Sequence, residues 1–336
     1  MKHRRLGNSG LLVSELALGT MVFGEGGTRA ASPKDAHAMI DRFLDVGGNH
    51  IDTADVYANG RSEEIVGAAI KARRDEVVLA TKVRFPTGAG PNDTGLSRHH
   101  IMRGVEASLG RLRTETIDLL YMHCWDPLTP IEESLRAFDD LVAAGKVRYI
   151  GVSNFMAWQL MKALGVSALG GYQRFVAAQY QYNLITRDIE PEFFDLLASE
   201  DVSLTPWSPL AGGFLSGKYR RAHRPTSEEG RLGSQPDSDE EAWVRRQDDR
   251  SWEIADELHA VADDLGVPPE QVALAWVLGR PNVASVIIGV RTMSQLESNL
   301  GALEVTLSSR DIERLGTASA LPATYPRRFI DANGSR

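Results

Sequence analysis

Residues 117–152 read IDLLYMHCWDPLTPIEESLRAFDDLVAAGKVRYIGV, and they show the architecture of the chain most clearly. A short apolar run at 117–122 precedes a longer amphipathic segment, and a second apolar run follows at 146–152. Short apolar runs bounded by turn residues indicate buried strands. Because two parallel strands need a crossover between them, commonly a helix, this stretch predicts a strand–helix–strand unit.

The helix of this unit is predicted to begin at Thr129. The run Thr129, Pro130, Ile131, Glu132 matches a capping box, with Thr at the N-cap, Pro at the first helical position and Glu at the third.

The same alternation of apolar runs and helical patterns extends in both directions along the chain, without a linker. Repeated units of this kind predict an α/β fold with a parallel sheet, and eight of them favour a closed (β/α)8 TIM barrel over an open sheet. The predicted strands are 16–18, 50–52, 76–81, 117–122, 146–152, 175–178, 202–205 and 284–288. The other predicted helices are 33–46, 62–73, 97–111, 155–164, 189–199, 251–265, 269–278 and 293–301.

Three segments depart from the alternation. Residues 3–6 and 11–13 flank a Gly-Asn-Ser-Gly turn, so we expect an N-terminal β-hairpin that plugs the bottom of the barrel. Between the seventh and eighth strands, 219–250 is a long charged loop, followed by two extra helices. The C-terminal tail is 317–336, and the whole chain, 1–336, is expected to form a single domain.

The bulk composition limits the class of protein. The 336 residues are 43% hydrophobic, and the net charge of −8 argues against sequence-independent nucleic-acid binding. Cys124 is the single cysteine, which excludes an internal disulfide and suits a reducing compartment. The N-terminus lacks a signal-peptide pattern, and no apolar run approaches the roughly 18 residues of a membrane span. We therefore expect a cytoplasmic protein without a membrane partner.

Four polar residues follow consecutive predicted strands. Asp52 closes the second strand, Tyr57 lies in the loop after it, Lys82 follows the third and His123 follows the fourth. Taken singly, each has an ordinary interpretation as a turn, core or surface residue. In barrels of this kind, however, active residues lie at the C-terminal ends of the strands. Their convergence on one rim favours a shared chemical role.

That role fits carbonyl reduction. A hydride that reaches a carbonyl carbon leaves an alkoxide, which Tyr57 can protonate although the pKa of tyrosine is about 10. A neighbouring Lys82 ammonium, held by Asp52, is expected to lower that pKa. A neutral His123 can donate a hydrogen bond to the carbonyl oxygen.

At this point the sequence resembles the aldo-keto reductase superfamily, in particular its bacterial branch that is similar to potassium-channel β subunits. The resemblance runs from about residue 4 to about residue 316, and its motifs come in the family's order. They are NHIDTADVYANGRSEEIVG at 49–67, LATK ending at Lys82, LLYM before His123, KVRYIGVSNF at 146–155, PWSPLAGGFLSGKY at 206–219 and VIIGVRTMSQLESNL at 286–300.

The resemblance implies Tyr57 as general acid, Asp52 and Lys82 as its tuning pair and His123 as the residue that orients the carbonyl. It implies NADP(H) as cofactor, bound without the Rossmann glycine-rich loop. The implied cofactor-binding residues are Gly19, Thr20, Met21, Asp52, Ser153, Asn154, Gln179, Trp207, Ser208, Pro209, Leu210, Gly212, Lys218, Gly289, Arg291, Gln295 and Asn299.

The sequence also departs from the family pattern. Many relatives have Tyr at Trp207, and many have an acidic residue at Ser298 that contacts the adenine. Gly289 and Val290 stand where some relatives bind the 2′-phosphate with a Lys-Ser pair. Arg291 is therefore the expected partner of that phosphate, with an ordinary surface arginine as the alternative.

The substrate is expected to be a small carbonyl compound above the nicotinamide. The expected walls are aromatic, and no cluster of Arg or Lys there indicates a phosphorylated or carboxylated substrate. The candidate substrate residues are Phe23, Tyr57, Phe85, His123 and Trp125, with Met21 and Trp207 beside them.

Two other functions stay open. The likeness to channel β subunits permits a non-catalytic NADP(H)-binding scaffold or redox sensor. A metal-dependent barrel hydrolase would need carboxylates and histidines at strand ends. No His-x-His pair follows an early strand, and His99 and His100 lie at a helix start, so no metal is expected. The sequence does not distinguish a monomer from a homo-oligomer.

Overall fold

Eight parallel strands form the centre of the molecule in a computed structural model that describes residues 1–24 and 30–334. The strands of the molecule are β1 His3–Arg5, β2 Leu12–Ser14, β3 Leu16–Gly19, β4 His50–Asp52, β5 Val78–Val83, β6 Ile117–Met122, β7 Val147–Ser153, β8 Phe175–Gln179, β9 Ser203–Leu204 and β10 Val286–Gly289. The parallel strands lie in the order β10-β3-β4-β5-β6-β7-β8-β9, and β1 and β2 form a separate antiparallel hairpin.

The two edge strands of this sheet meet, so the sheet curls into a barrel. Leu204 forms a bridge with Val283, and its N–H donates to the Asn282 carbonyl at 2.7 Å. Further along, the Ile287 N–H donates to the Pro206 carbonyl at 2.9 Å. The predicted (β/α)8 TIM-barrel fold is confirmed.

Helices surround the strands. They are α1 Pro33–Asp45, α2 Arg61–Ala69, α3 Arg98–Leu112, α4 Ile131–Ala143, α5 Ala157–Gly170, α6 Glu190–Glu200, α7 Arg231–Ser234, α8 Asp249–Leu265, α9 Pro269–Leu278, α10 Met293–Leu300, α11 Ser309–Ala318 and α12 Arg327–Asn333. Apart from α12, which buries no residue, these helices contribute apolar side chains to the core, most of which lies outside the strands.

The predicted capping box of α4 is wrong. The helix begins at Ile131 with Pro130 at the N-cap, and no side chain caps it. The Thr129 hydroxyl instead donates to the Asp126 carboxylate at 2.6 Å. The Thr129 side chain, which the sequence pattern predicts as the helix cap, therefore bonds to the loop residue Asp126.

The N-terminal hairpin closes one end of the barrel, as predicted. Leu6 is fully buried in a cluster that includes the interior residues Val78 and Leu119. A Cβ at Gly7, where φ is +52°, would lie 2.2 Å from the Val176 carbonyl oxygen. Because side chains alternate along a strand, Val78 and Lys82 face the same side of β5. The plug therefore reaches Val78, whereas Lys82 faces the opposite, open end.

The segment 219–250 is more ordered than its charge pattern suggests. It contains α7 and a short 3-10 turn at Trp243–Arg245. Trp243 is buried against Phe214 and Trp252, with ring centroids 6.2 Å apart in both pairs. These aromatic contacts fix the segment on the barrel.

Within the described residues, the C-terminal tail does not line the open end of the barrel. Arg327 of α12 pairs with Asp195 of α6 at 2.6 Å. The last two residues of the predicted tail, 335–336, lie outside the described residues. In the part of the chain that the structure describes, no helix combines the length and hydropathy needed to cross a membrane.

Candidate active site

A cleft of about 900 Å³ opens at the C-terminal ends of the strands. Every residue expected from the sequence to bind the dinucleotide lines it, from Gly19 at one end to Asn299 at the other. Tyr57, Phe85 and His123 line it as well. The cleft therefore joins the proposed reacting groups to the proposed cofactor site.

A buried ion pair supports the Tyr57 hydroxyl. Lys82 has no exposed surface, and its ammonium donates to the Asp52 carboxylate at 2.5 Å and to the Tyr57 oxygen at 3.2 Å. A third bond goes to the Thr53 carbonyl at 2.8 Å, so all three N–H groups are used. The other Asp52 oxygen accepts from the Gln179 amide at 2.8 Å. Residues from three strands thus fix one ammonium below the tyrosine.

The pKa of Lys82 depends both on burial and on the neighbouring Asp52 and Tyr57 oxygens. Burial lowers the pKa of Lys82, whereas the Asp52 carboxylate and the Tyr57 oxygen raise it. The two oxygens have the larger combined effect, so the pKa lies above its ordinary value. Lys82 therefore stays positively charged at neutral pH. Such a fixed positive charge favours negative charge on the oxygen that it contacts.

The pKa of Tyr57 shifts in the direction opposite to the sequence prediction. Burial raises it, and this effect outweighs the lowering by Lys82. The expectation of a lowered pKa neglected the loss of solvent around the hydroxyl. At neutral pH, Tyr57 is therefore protonated and carries a proton that it can donate.

His123 lies beside Tyr57 and Phe85, with ring centroids 6.0 Å and 4.7 Å away. Burial, with the nearby Lys82 and Arg84 charges, holds its pKa well below 6.5, so the ring is neutral. A neutral imidazole carries one N–H donor. The His123 ring can therefore donate a hydrogen bond to a carbonyl oxygen while it carries no positive charge.

The ends of β7 and β8 place amide and hydroxyl groups next to the same pocket. The Asn154 amide donates to the His123 carbonyl at 2.9 Å, and the Ser153 hydroxyl donates to the Gln179 carbonyl at 2.7 Å. Asn154 adopts a left-handed backbone conformation, with φ at +54°. These bonds order a polar part of the cleft wall.

The first part of the loop after β9 contains four residues with positive φ: Ser208, Ala211, Gly212 and Gly213. The N–H groups of Ala211, Gly212 and Gly213 donate to the Ser208 carbonyl, the Ser208 hydroxyl and the Leu210 carbonyl at 3.0, 3.2 and 2.9 Å. These bonds hold the loop in tight turns along the cleft. A Cβ at Gly213 would lie 2.6 Å from the Lys218 ammonium, so the glycine permits this lysine to approach the loop.

The far end of the cleft is formed by the start of α10. Thr292 caps the helix by accepting from the Gln295 N–H at 3.3 Å, and the Arg291 N–H donates to the Gln295 side chain at 2.8 Å. Gln295 and Asn299 are one turn apart and share a face of the helix. A helix N-terminus beside an arginine is suited to a phosphate.

The structure adds residues that the sequence analysis did not select. On α9, Glu270 lines the cleft and accepts from the Ser298 hydroxyl at 2.6 Å, so a carboxylate lies next to the position where relatives carry an acidic residue. In the long segment, Arg231 lines the cleft and pairs with the buried Glu241 at 2.5 Å. The Ser208 hydroxyl also donates to Glu241. The signal available in the sequence was the short charged run Glu-Glu-Gly-Arg at 228–231, which also fits a solvated loop.

Two of the candidate substrate residues lie away from the cleft. Phe23 has no exposed surface and belongs to the core between strands and helices. Trp125 packs edge-on against Phe155, with centroids 5.0 Å apart, and is absent from the described lining. Aromatic residues near strand ends serve both packing and binding, and the sequence does not separate the two.

Histidines and carboxylates do not gather into a metal site anywhere in residues 1–24 and 30–334: no three His, Cys, Asp or Glu side chains there are placed to hold an ion.

Similarity to known proteins identifies the family. The sequence profile of the Aldo/keto reductase family matches residues 15–320. A probable voltage-gated potassium channel subunit beta from Arabidopsis thaliana is 39% identical over 91% of this chain and 92% of its own length. An uncharacterized oxidoreductase from Bacillus subtilis is 38% identical over 97% of this chain and 99% of its own. A versiconal hemiacetal acetate reductase from Aspergillus parasiticus is 34% identical over the same shares. The chain belongs to the aldo/keto reductase family.

Proposed function

We propose that this protein reduces an aldehyde or ketone to the alcohol with NADPH, and that Tyr57 donates the proton. The observation that carries the proposal is the contact of the fully buried Lys82 ammonium with both Asp52 and Tyr57, at the base of a cleft that His123 also lines. An ion pair that served only to stabilise the fold would require neither contact with a tyrosine hydroxyl nor a position beside an opening to solvent.

The chain's residues fit the proposed cofactor in length, charge and shape. The cleft runs from Asp52 past the positive-φ loop to the start of α10, which suits an extended dinucleotide. At Gly19, a Cβ would lie 2.8 Å from the Ile287 side chain, so only glycine leaves this wall flat. When bound, a reduced nicotinamide supplies the hydride.

The proposed roles of the residues follow from their contacts. The neutral His123 donates a hydrogen bond to the substrate carbonyl and so makes its carbon more electrophilic. As the carbon gains a hydride, the oxygen gains negative charge and takes the proton from Tyr57. The Lys82 ammonium, 3.2 Å away, stabilises the tyrosinate that remains until solvent returns the proton. Gln179 and Thr53 keep Asp52 and Lys82 aligned through this exchange.

For the cofactor we propose NADPH over NADH because Arg291 lies beside the N-terminus of α10. A guanidinium can form two parallel charge-assisted hydrogen bonds with a 2′-phosphate. The helix N-terminus adds a partial positive charge. NADH lacks this phosphate and gains from neither group.

The direct test follows NADPH oxidation over a panel of aryl aldehydes, short aldehydes, keto-sugars and pyridoxal, with excess chelator present. We expect at least one carbonyl compound to be reduced, with one alcohol formed for each NADPH consumed. Activity that chelator abolishes would reject the mechanism.

A non-catalytic NADP(H)-binding scaffold or redox sensor is the second candidate. It is favoured by the similarity to a relative whose name is that of a potassium channel subunit. Tight NADPH binding with no turnover of any panel member would support the scaffold. We propose the enzyme because Asp52, Tyr57, Lys82 and His123 are all present and in contact.

A further inference from the structure

Glu270 brings a carboxylate to the end of the cleft that lies along α10. It is the second residue of α9, it is half-buried and it lines the cleft. The groups proposed for the reaction lie around Tyr57 and His123, and no step of that reaction involves Glu270. This carboxylate therefore belongs to the binding cleft but not to the reacting groups.

One oxygen of Glu270 is held in place by the neighbouring helix. The Ser298 hydroxyl donates to it at 2.6 Å, and the Gln271 side-chain amide donates to the Ser298 carbonyl at 3.0 Å. These two bonds connect the start of α9 to the last turn of α10. The carboxylate is thus positioned by the protein itself, before any ligand contacts it.

The other oxygen of Glu270 has no partner among residues 1–24 and 30–334. Within these residues, Glu270 forms no ion pair and accepts no hydrogen bond other than that from Ser298. An ionised carboxylate accepts hydrogen bonds and donates none. This part of the cleft therefore offers an acceptor that is complementary to an N–H donor on a ligand.

The proposed cofactor places a nucleobase at this end of the cleft. Hydride transfer requires the nicotinamide beside Tyr57, and the 2′-phosphate is proposed to lie beside Arg291 at the start of α10. Asn299 lies about two turns after the N-cap Thr292, which is about 10 Å along the helix axis. This distance fits the span from a 2′-phosphate to the far edge of the base on the same ribose. The base should therefore reach the part of the cleft that Ser298, Asn299 and Glu270 line.

We propose that Glu270 selects the base of the cofactor, because its second oxygen accepts a hydrogen bond from the 6-amino group of adenine. Adenine presents an N–H donor at C6, whereas a 6-oxo purine presents an acceptor that faces the carboxylate unfavourably. The buried Asn299 side chain lines the same part of the cleft and can bond to the same edge of the base. Glu270 is thus a specificity-determining residue for the dinucleotide, and this inference rests on the proposed function.

The test compares NADPH with its hypoxanthine analogue, in which an oxo group replaces the 6-amino group. The dissociation constants of both are measured from the quenching of tryptophan fluorescence, and wild type should bind NADPH more tightly. In Glu270→Ala the ratio of the two constants should fall by about tenfold or more, since one hydrogen bond to a charged group is lost. The kcat at saturating NADPH should stay nearly unchanged, because the nicotinamide end is untouched.

Glu270→Gln gives a second signature. Its side-chain amide has N–H donors as well as a carbonyl acceptor, so it can donate to a 6-oxo group. This variant should bind the hypoxanthine analogue more tightly than Glu270→Ala does. If Glu270 only stabilised the start of α9, the glutamine would bring no such gain, and that result would count against the inference.

Glu132→Ala is the matched control. Glu132 is likewise the second residue of a helix with proline at the N-cap, α4, but it is exposed and lies apart from the described wall of the cleft. This variant should keep the wild-type ratio of the two dissociation constants. A fall in the ratio here would mean that loss of any such acid changes the preference, and would contradict a specific role of Glu270.

Two results would overturn the inference. Wild type could bind both dinucleotides equally well, or Glu270→Ala could weaken both by the same factor, which would leave Glu270 a purely structural role. Reduction of a carbonyl compound by NADPH in either case leaves the proposed function intact. Conversely, a preference for NADPH that Glu270→Ala removes, without turnover of any carbonyl compound, supports the role of Glu270 and rejects the enzyme. Failure of wild type to bind either dinucleotide would contradict both.

Discussion

Tyr57 is subject to two opposing influences, and their balance sets its chemistry. Burial raises the pKa of the hydroxyl, whereas the Lys82 ammonium lowers it, and burial is the larger effect. The residue therefore holds its proton until the substrate oxygen becomes a stronger base. The sequence could predict which residues meet at this point, because they end neighbouring parallel strands. It could not predict the net pKa, which depends on how completely the barrel excludes water.

The same local stretch contains a second buried carboxyl group, Asp55. Its two oxygens accept no hydrogen bond of normal geometry in the described residues, and burial, with Glu63 nearby, raises its pKa to about 7. A raised carboxyl pKa means that the ionised form destabilises the fold. This cost is absent below the ordinary value of 3.8, grows as the pH rises, and is complete above about 7.

Asp55→Asn should therefore stabilise the protein at alkaline pH. We expect its free energy of unfolding to exceed that of wild type by a margin that grows by about 3 kcal/mol between about pH 5 and about pH 8. Urea unfolding at both pH values measures this margin. Asp126→Asn is the control: hydrogen bonds from Thr129 and two backbone N–H groups outweigh burial and lower the pKa of Asp126, so this carboxyl is ionised at both pH values and the margin of its variant should not change between them. A margin for Asp55→Asn that does not change with pH would show that this carboxyl is not desolvated.

Arg291 tests the assignment of the 2′-phosphate. Arg291→Ala should raise KM for NADPH by about tenfold or more, the loss of one charge-assisted contact, and should leave KM for NADH nearly unchanged. Arg42→Ala is the matched control. Arg42, on α1, forms an exposed ion pair at 2.6 Å with Glu297 of α10, the helix that Arg291 precedes. Equal effects on both cofactors would reject the phosphate role.

At the scale of elements, the strands and most helices follow from the apolar pattern, whereas their ends depend on single contacts. The helix α4 begins at Ile131 because Asp126 binds the Thr129 hydroxyl that would otherwise cap it. The segment 219–250 has too few apolar residues for a periodic signal, yet Trp243 and Leu232 anchor it. Isolated buried residues of this kind give no sequence pattern, so they can be recognised only in the structure, where their packing partners are known.

The loop after β9 gives a prediction at this scale. Gly213→Ala adds a Cβ at φ +88° and 2.6 Å from the Lys218 ammonium. Relief of the strain must move the loop or the lysine, and strain of about 1–3 kcal/mol should weaken NADPH binding by about tenfold. The measurement is the dissociation constant of NADPH, from the quenching of tryptophan fluorescence.

Gly145→Ala is the control for backbone strain. Gly145 also has positive φ, at +73°, but an added Cβ meets nothing within 4 Å, and the residue precedes β7 at the other end of the barrel. It should lower the stability of the fold and leave NADPH affinity unchanged. Weaker NADPH binding in both variants would remove the special role of the loop after β9.

At the scale of the whole molecule, the residues that close the barrel and the residues proposed for catalysis lie at opposite ends. The hairpin and Leu6 fill one end, and the cleft with Tyr57 occupies the other. The closed sheet and this polarity could be predicted from eight strand–helix units, because chain direction puts every strand's C-terminal end on one face. The placement of Phe23 and Trp125 could not, since it depends on which aromatic residues the core needs. That residues 1–336 form one domain stays a prediction.

The central claim is that Tyr57 supplies the proton for carbonyl reduction. Its most direct test is Tyr57→Phe, with the turnover of a carbonyl substrate and the dissociation constant of NADPH measured on the same preparation. The change removes one hydroxyl and keeps the ring. We expect turnover to be abolished while NADPH binds with nearly the wild-type constant. Wild-type turnover in Tyr57→Phe would contradict the mechanism.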